Sequence, residues 1–240
     1  VTDFFQKVGD VMIRMTNYVM LYAPIGVFGL IAYTVTRHGL AVLLPLGKLI
    51  LTAFIATLIF VCITYLPIIK LIGMKISDYL KGAFEPWLIA FTTCSSAAAL
   101  AVNLEASRKM GASKAIASFA IPLGNTINMN GTSIYMGVTA VFAAEVFGID
   151  LTLAQQFQIV LMGVLAAVGT AGVPGAGLIM TTLVFTEVGI PLEAVALIAG
   201  IDRILDMIRT SVNVLGDSLT ALVVSKSEGV LGTELMDQDT

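Results

Sequence analysis

"GTAGVPGAG", residues Gly169–Gly177, divides an uncharged stretch that runs from Leu151 to Thr186. A helix needs about 20 mostly apolar residues to cross the hydrocarbon core of a bilayer, so this stretch is too long for one crossing. Glycine and proline at its centre break the helix. The stretch therefore predicts a helical hairpin that enters a membrane and turns back. Upstream, "TTCSSAAA", Thr92–Ala99, interrupts the apolar run from Phe91 to Leu104 with hydroxyls and small residues and predicts a first re-entrant hairpin. Each hairpin is followed by a long segment with polar residues midway: "GNTINMNGT", Gly124–Thr132, and "DRILDMIRTSVNVLGDS", Asp202–Ser218. The order reads as an internal repeat, Tyr79–Phe147 and then Leu151–Ser225. Inserted in opposite directions, the halves would form the inverted repeat of secondary transporters.

Composition supports a membrane protein. The 240 residues are 58% hydrophobic and 12% charged, with a mean hydropathy of +0.95. Soluble domains carry roughly 45 to 50% apolar and about 25% charged residues. Two simpler spans precede the hairpins, Asn17–Thr36 and Leu49–Ile69. With the start of the chain in the cytoplasm, Lys7, Arg14, Lys70, Lys75, Lys81, Arg108, Lys109, Lys114 and Lys226 lie inside, and Arg37 and Lys48 lie outside, in keeping with the positive-inside rule. The first hairpin then enters from the cytoplasm and the second from outside. The net charge is only -3 and no basic run occurs, so the footprint of a nucleic-acid binder is missing. Val1 opens the chain with no signal-peptide pattern, which reads as an internal or C-terminal piece of a longer protein. Cys62, Cys94 and the single His38 lack ligand spacing and read as packing or loop residues.

Five charges in Asp202–Ser218 need a reason. At about 100° per residue, Asp202, Asp206, Arg209, Thr210, Asn213 and Asp217 share an arc of roughly 100°, with Leu205, Ile208, Val212 and Leu215 opposite. A charge at mid-bilayer costs on the order of 3 kcal/mol or more, so this face must look into a protein interior or an aqueous cavity. One reading is a structural ion-pair network, Asp206 with Arg209 and Asp202 with Arg203. It leaves the neighbouring Thr and Asn unexplained. The other reading is a solute site: Arg209 grips a carboxylate with its planar guanidinium, and Asp206 pairs with an ammonium. Asn128, Asn213 and Asp217, with carbonyls freed at helix breaks, are hard ligands for a small cation such as sodium. An ion channel lined by the same face remains an alternative. A membrane enzyme lacks a nucleophile-base pair, because His38 lies near the outer surface while Ser95 and Ser96 lie in the first hairpin.

The motifs "NMNGT", "GTAGVPGAG" and "RTSVNVLGDS", with "SS" in the first hairpin and "YAPIGVFGLIAY" at Tyr22–Tyr33, resemble those of the dicarboxylate/amino acid:cation symporters. The resemblance covers about Asp10 to Ser225. It implies an all-α integral membrane fold, an inverted-repeat transporter with two re-entrant helical hairpins and broken transmembrane helices, multi-pass in the cell (plasma or inner) membrane. It further implies that the chain begins at the fifth of eight helices. Residues 1–40 then form a scaffold and trimerisation helix. Residues 41–226 form a transport domain of sixth helix, hairpin 1, seventh helix, hairpin 2 and eighth helix, and 227–240 a disordered tail. The complete protein would be a homotrimer that carries an acidic amino acid, aspartate or glutamate, with sodium by an elevator-like movement. A proton-coupled or C4-dicarboxylate carrier of the same family is the alternative; Asp206 argues against a plain dicarboxylate, which has no ammonium to pair with it.

Residue by residue, the resemblance implies that Arg209 binds the side-chain carboxylate and Asp206, with Thr210 beside it, the amino group. Asn213, Thr132 and Ser96 hold the main-chain carboxylate, while Val173 and Gly177 belong to the hairpin that closes over the substrate. Gly124, Asn128, Asn213 and Asp217 look like one sodium site. Thr126, Met129, Ala167, Val168 and Thr170 look like a second that forms on closure. Three departures stand out. Asn130 replaces the acidic residue of the usual "NMDGT", which weakens the case for a third sodium site. Met136 stands where potassium-coupled relatives have glutamate. The family's additional arginine is at neither Cys94 nor Met207, and Arg203 is the expected substitute.

Overall fold

The computed structural model describes residues 21–233, together with Lys7, Val11, Arg14, Met15 and Tyr18. The start of the expected first span, Asn17, and residues 234–240 of the expected tail lie outside the described residues. Every regular element among the described residues is helical.

Helix α1, Ala23–His38, ends at Gly39, whose φ of 76° lets the chain leave the helix. A 3-10 turn, Leu40–Val42, leads into α2, Leu43–Phe60, which passes through a π-helical turn, Val61–Tyr65, into α3, Leu66–Leu71. Together these make one 32-residue run, Leu40–Leu71, long and apolar enough to cross a membrane. It is longer than the expected Leu49–Ile69. Pro45 sits in the first turn of α2, where no helical N–H is required, and the Lys48 side chain is exposed, so neither stops the helix. The wide π turn precedes Pro67, which has no N–H to continue the ladder. Leu51, Phe54 and Ile63 face outward, as do Phe157 and Ile179 further on, leaving an extensive apolar exterior.

The next four helices repeat a pattern. Helices α4, Ile76–Thr93, and α5, Ser96–Lys109, pack as a hairpin. The turn is made by Cys94, which has a φ of 56°, and by Ser95, whose Oγ accepts from Ala98 N at 3.2 Å and caps α5. Helix α6, Lys114–Ile127, stops at Asn128 and Met129, and α7, Asn130–Val146, resumes. The pattern then recurs: α8, Leu153–Val168, and α9, Ala176–Val188, form a second hairpin around the Gly- and Pro-rich turn. Thr152 and Gln155 make a capping box at the start of α8. Helix α10, Glu193–Ala199, is followed by a break at Gly200 and Ile201 and then by α11, Asp202–Ser227.

The final segment is therefore two helices, where the sequence suggested one span from Leu192. At Gly200 a Cβ would lie 3.2 Å from Ile31 Cγ1, so the break is also where α1 rests on the body. Helix α11 runs through the centre, packed on α4, α5, α6, α7 and α2. One apolar cluster, including Leu49, Met136, Phe185 and Ile198, takes in Leu205 near the start of α11; the other, including Ile69, Tyr79 and Ile121, takes in Val212, Leu219 and Leu222 farther along it. Both faces of α11 are buried, the polar face against hairpins and the apolar face in these clusters. Residues just beyond α11, expected to belong to a disordered tail, are held in place. Gly232 N donates to Gly111 O at 2.8 Å, and Leu231 packs on the second cluster, because burying that side chain outweighs the polarity of its neighbours.

Candidate functional site

The hairpin tips meet over α11. Ser95 Oγ donates to Gly172 O at 3.0 Å and Ala97 N donates to the same oxygen at 3.3 Å. A Cβ on Gly172 would collide with Ser96 Oγ, so the absence of a side chain there permits the approach. Beneath lies a tight pocket of about 10 Å³, roughly the room that a single water needs. All eight residues expected to hold substrate, Ser96, Thr132, Val173, Gly177, Asp206, Arg209, Thr210 and Asn213, line it. Hairpin 1, α7, hairpin 2 and α11 each contribute, which the repeat of hairpin and broken helix makes possible.

Arg209 is the organising group. It is 3% exposed and held between two carboxylates, with Nη1 3.0 Å from Asp202 Oδ1 and Nη2 3.1 Å from Asp206 Oδ2. Nε also donates to Asp206 Oδ1 at 3.1 Å, making that contact bidentate. The guanidinium lies 4.3 Å from the centroid of the Tyr135 ring. Tyr135 in turn donates its hydroxyl to Asp202 Oδ1 at 3.0 Å. Asp206 additionally accepts from Thr210 Oγ1 at 2.7 Å and from Gly175 N at 2.9 Å, which ties the tip of hairpin 2 to α11. Gly177 lies directly over the guanidinium: a Cβ would be 2.6 Å from Arg209 Cζ.

Sequence reasoning paired Asp202 with Arg203; the structure pairs Asp202 with Arg209, two helical turns along the same face. Arg203 instead donates to Thr92 O at 2.9 Å and to Thr93 O at 3.4 Å, the last carbonyls of α4, where a cation complements the helix dipole. Asp202, Tyr135 and Gly175 are thus additional members of the site. Asp202 was legible from the helical arc, but the partners of Tyr135 and Gly175 depend on packing between distant segments.

On the α6/α7 side, Asn213 Oδ1 accepts from Gly131 N at 2.8 Å and Asn213 Nδ2 donates to Thr132 Oγ1 at 3.0 Å. Ser96 Oγ is buried with no hydrogen-bond partner, so the cavity holds an unmatched hydroxyl. The four residues expected at the first cation site also come together. Asn128 Nδ2 donates to Asp217 Oδ1 at 2.8 Å and to Asn213 O at 3.1 Å, and a Cβ on Gly124 would stand 2.6 Å from Asp217 Oδ1. The Asn213 backbone carbonyl and the Asp217 carboxylate are hard oxygen donors of the kind that fits an alkali cation, with the Asn128 NH₂ now set against both. The second expected set is looser. Met129 and Thr170 line the cavity and Ala167 is buried, whereas Thr126 and Val168 are exposed near the facing ends of α6 and α8. Thr126 Oγ1 donates to Leu123 O at 2.8 Å.

A buried arginine clamped by two aspartates under the meeting tips of two hairpins defines a helical protein with an internal polar pocket. The chain belongs to the sodium:dicarboxylate symporter family, whose model matches residues 1–227. It is 39% identical over 234 residues to the proton/sodium-glutamate symport protein of Geobacillus stearothermophilus, covering 98% of this chain and 56% of that protein. It is 38% identical over 224 residues to the proton/glutamate-aspartate symporter of Escherichia coli K12, covering 93% and 51%. It is 39% identical over 230 residues to the C4-dicarboxylate transport protein of Bacillus subtilis 168, covering 95% and 54%. The chain spans about half the length of the curated relatives it matches.

Proposed function

We propose that this chain forms the substrate- and cation-binding part of a multi-pass membrane symporter for acidic amino acids, aspartate or glutamate. The observation that carries the reading is Arg209 clamped by Asp202 and Asp206 beneath Gly175 and Gly177 of hairpin 2. The three Arg209 contacts leave one N–H on each terminal nitrogen for a substrate carboxylate. Asp206, released from Gly175 N, accepts the substrate ammonium, with Thr210 fixing the carboxylate. Thr132, Asn213 and the unmatched Ser96 hydroxyl receive the main-chain carboxylate. Val173 and Gly177 cover it. Because Gly175 N and Asp206 already satisfy each other, substrate entry exchanges internal bonds for equivalent external ones, and hairpin 2 must lift to admit it.

Charge balance supports cation coupling. In their ionised forms, Asp202, Asp206 and Asp217 carry three negative charges against one positive charge on Arg209, all at most 6% exposed. An acidic amino acid adds another negative charge. Such a cluster is costly in a low-dielectric interior unless cations accompany the substrate. Gly124, Asn128, Asn213 and Asp217 would hold sodium, and Thr126, Met129, Ala167, Val168 and Thr170 a second ion on closure; protons on the carboxylates are the alternative currency. Helix α1 touches the packed body chiefly through α10, which suits a scaffold role for residues 1–40, trimerisation of the complete protein, and elevator-like movement of the rest. Residues 228–233 then contribute a turn docked on the body.

Calorimetric titration of L-aspartate into the detergent-solubilised protein, in sodium and then choline buffer across a pH range, tests the proposal. Binding only in sodium is expected. Sodium-independent binding that follows pH would replace sodium by protons, and tight succinate binding with no response to L-aspartate would replace the amino acid by a C4-dicarboxylate.

A further inference from the structure

Next to the cation-site residues lies a hydrogen-bonded chain that the proposed roles do not use. The π-helical turn ends at Tyr65, which is 4% exposed and donates its hydroxyl to Val212 O at 3.2 Å. That hydroxyl accepts from Asn130 Nδ2 at 3.1 Å. Asn130 Nδ2 also donates to Asn128 Oδ1 at 2.6 Å, and Asn128 Nδ2 donates onward to Asp217 Oδ1 and Asn213 O. The direction is dictated at the far end. The Asn213 backbone carbonyl can only accept, so Asn128 must turn its NH₂ toward it and its own carbonyl toward Asn130. A Cβ on Gly216 would run into both the Asn128 amide and the Tyr65 hydroxyl, so the helix is bare where the chain crosses it.

We infer that Asn130, oriented by Tyr65, sets the affinity of the cation site by locking Asn128 with its amide hydrogens, and not its carbonyl, against Asp217. This rests on the proposed reading of Gly124, Asn128, Asn213 and Asp217 as a cation site. The Asn128 NH₂ occupies the same oxygens that a monovalent cation would use, and so acts as an internal competitor. While Asn130 donates to Asn128 Oδ1, rotation of the Asn128 amide breaks that bond and brings two NH₂ groups face to face. Without a donor at position 130, Asn128 can turn and offer its oxygen as a further ligand. One hydrogen bond of this kind corresponds to roughly tenfold in sodium affinity.

The test is thermal unfolding of the purified full chain without substrate, with sodium chloride exchanged for choline chloride at constant ionic strength. Sodium that binds the folded state raises the midpoint by mass action. Asn130→Leu is nearly isosteric, uncharged and unable to donate. It is expected to reach half of its sodium-dependent shift at roughly tenfold lower sodium than the parent. Asn130→Asp should shift the same way, because an ionised carboxylate accepts from Asn128 and turns Asn128 Oδ1 toward Asp217. If Asn130→Leu does not fold, Asn130→Ala, which also removes the donor without adding charge, takes its place. Unchanged half-saturation in the variants overturns the lock, as does tightening in Asn130→Asp with none in a folded Asn130→Leu, which would mean simple charge attraction. Equal stabilisation of the parent by sodium and choline would instead overturn the cation-site reading, and the inference with it.

Discussion

Gly177→Ala tests whether hairpin 2 closes on Arg209. A Cβ at Gly177 would stand 2.6 Å from Arg209 Cζ and 2.9 Å from both terminal nitrogens. Ordinary non-bonded contact is about 3.5 to 4.0 Å, so something must move by roughly 1 Å. Arg209 cannot yield easily, since its three nitrogens are tied to Asp202 and Asp206 and its plane rests on Tyr135. Hairpin 2 must lift instead, stretching the 2.9 Å bond from Gly175 N to Asp206 Oδ2. Overpacking of this kind costs about 1 to 3 kcal/mol. Spent on the closed state alone, that weakens L-aspartate binding by roughly fivefold to 150-fold. Gly137→Ala is the matched control: it lies within α7, and a Cβ there meets nothing within 4 Å. It should bind normally and be more stable by about 0.5 to 1 kcal/mol. The assay is calorimetric titration beside chemical unfolding of each variant. A Gly177→Ala protein that binds as tightly as the parent, or a Gly137→Ala protein that loses binding equally, would refute closure over Arg209.

Arg203→Gln should lower unfolding stability by about 1 to 2 kcal/mol by uncapping the Thr92 and Thr93 carbonyls, and should weaken substrate binding through the loss of a positive charge beside the cavity. A variant unchanged in both denaturant midpoint and affinity removes that role. Tyr79→Phe deletes a hydroxyl that is 2.6 Å from Leu215 O and 3.0 Å from Ser218 Oγ in the second apolar cluster. It is expected to cost about 1 to 3 kcal/mol in chemical unfolding while leaving the sodium dependence of stability in place.

Much of the architecture was legible because helix breaks have local causes. The hydroxyl-rich Thr92–Ala99 and the Gly/Pro-rich Gly169–Gly177 announce turns whatever surrounds them, and the structure turns at both. The interruption at Asn128 and Met129 was signalled by three asparagines and two glycines close together. The break at Gly200 was not, since a lone glycine in an apolar run is compatible with a continuous helix. Its significance comes from Ile31, far away in sequence. Likewise the extension of the apolar helix back to Leu40 depends on Lys48 facing outward, which periodicity alone did not decide.

The sequence by itself determined that the chain is helical and strongly apolar, and that its polar residues gather on one face of Asp202–Ser218, because helical spacing and composition act within a few turns. Tertiary structure decided who meets whom on that face. Asp202 turned from Arg203 to Arg209, Arg203 found the end of α4, and Gly175 and Tyr135 joined the Arg209 clamp. Those choices follow from desolvation. A buried charge takes whichever partner the packing of separate segments places within hydrogen-bonding distance, and that partner can lie anywhere in the chain.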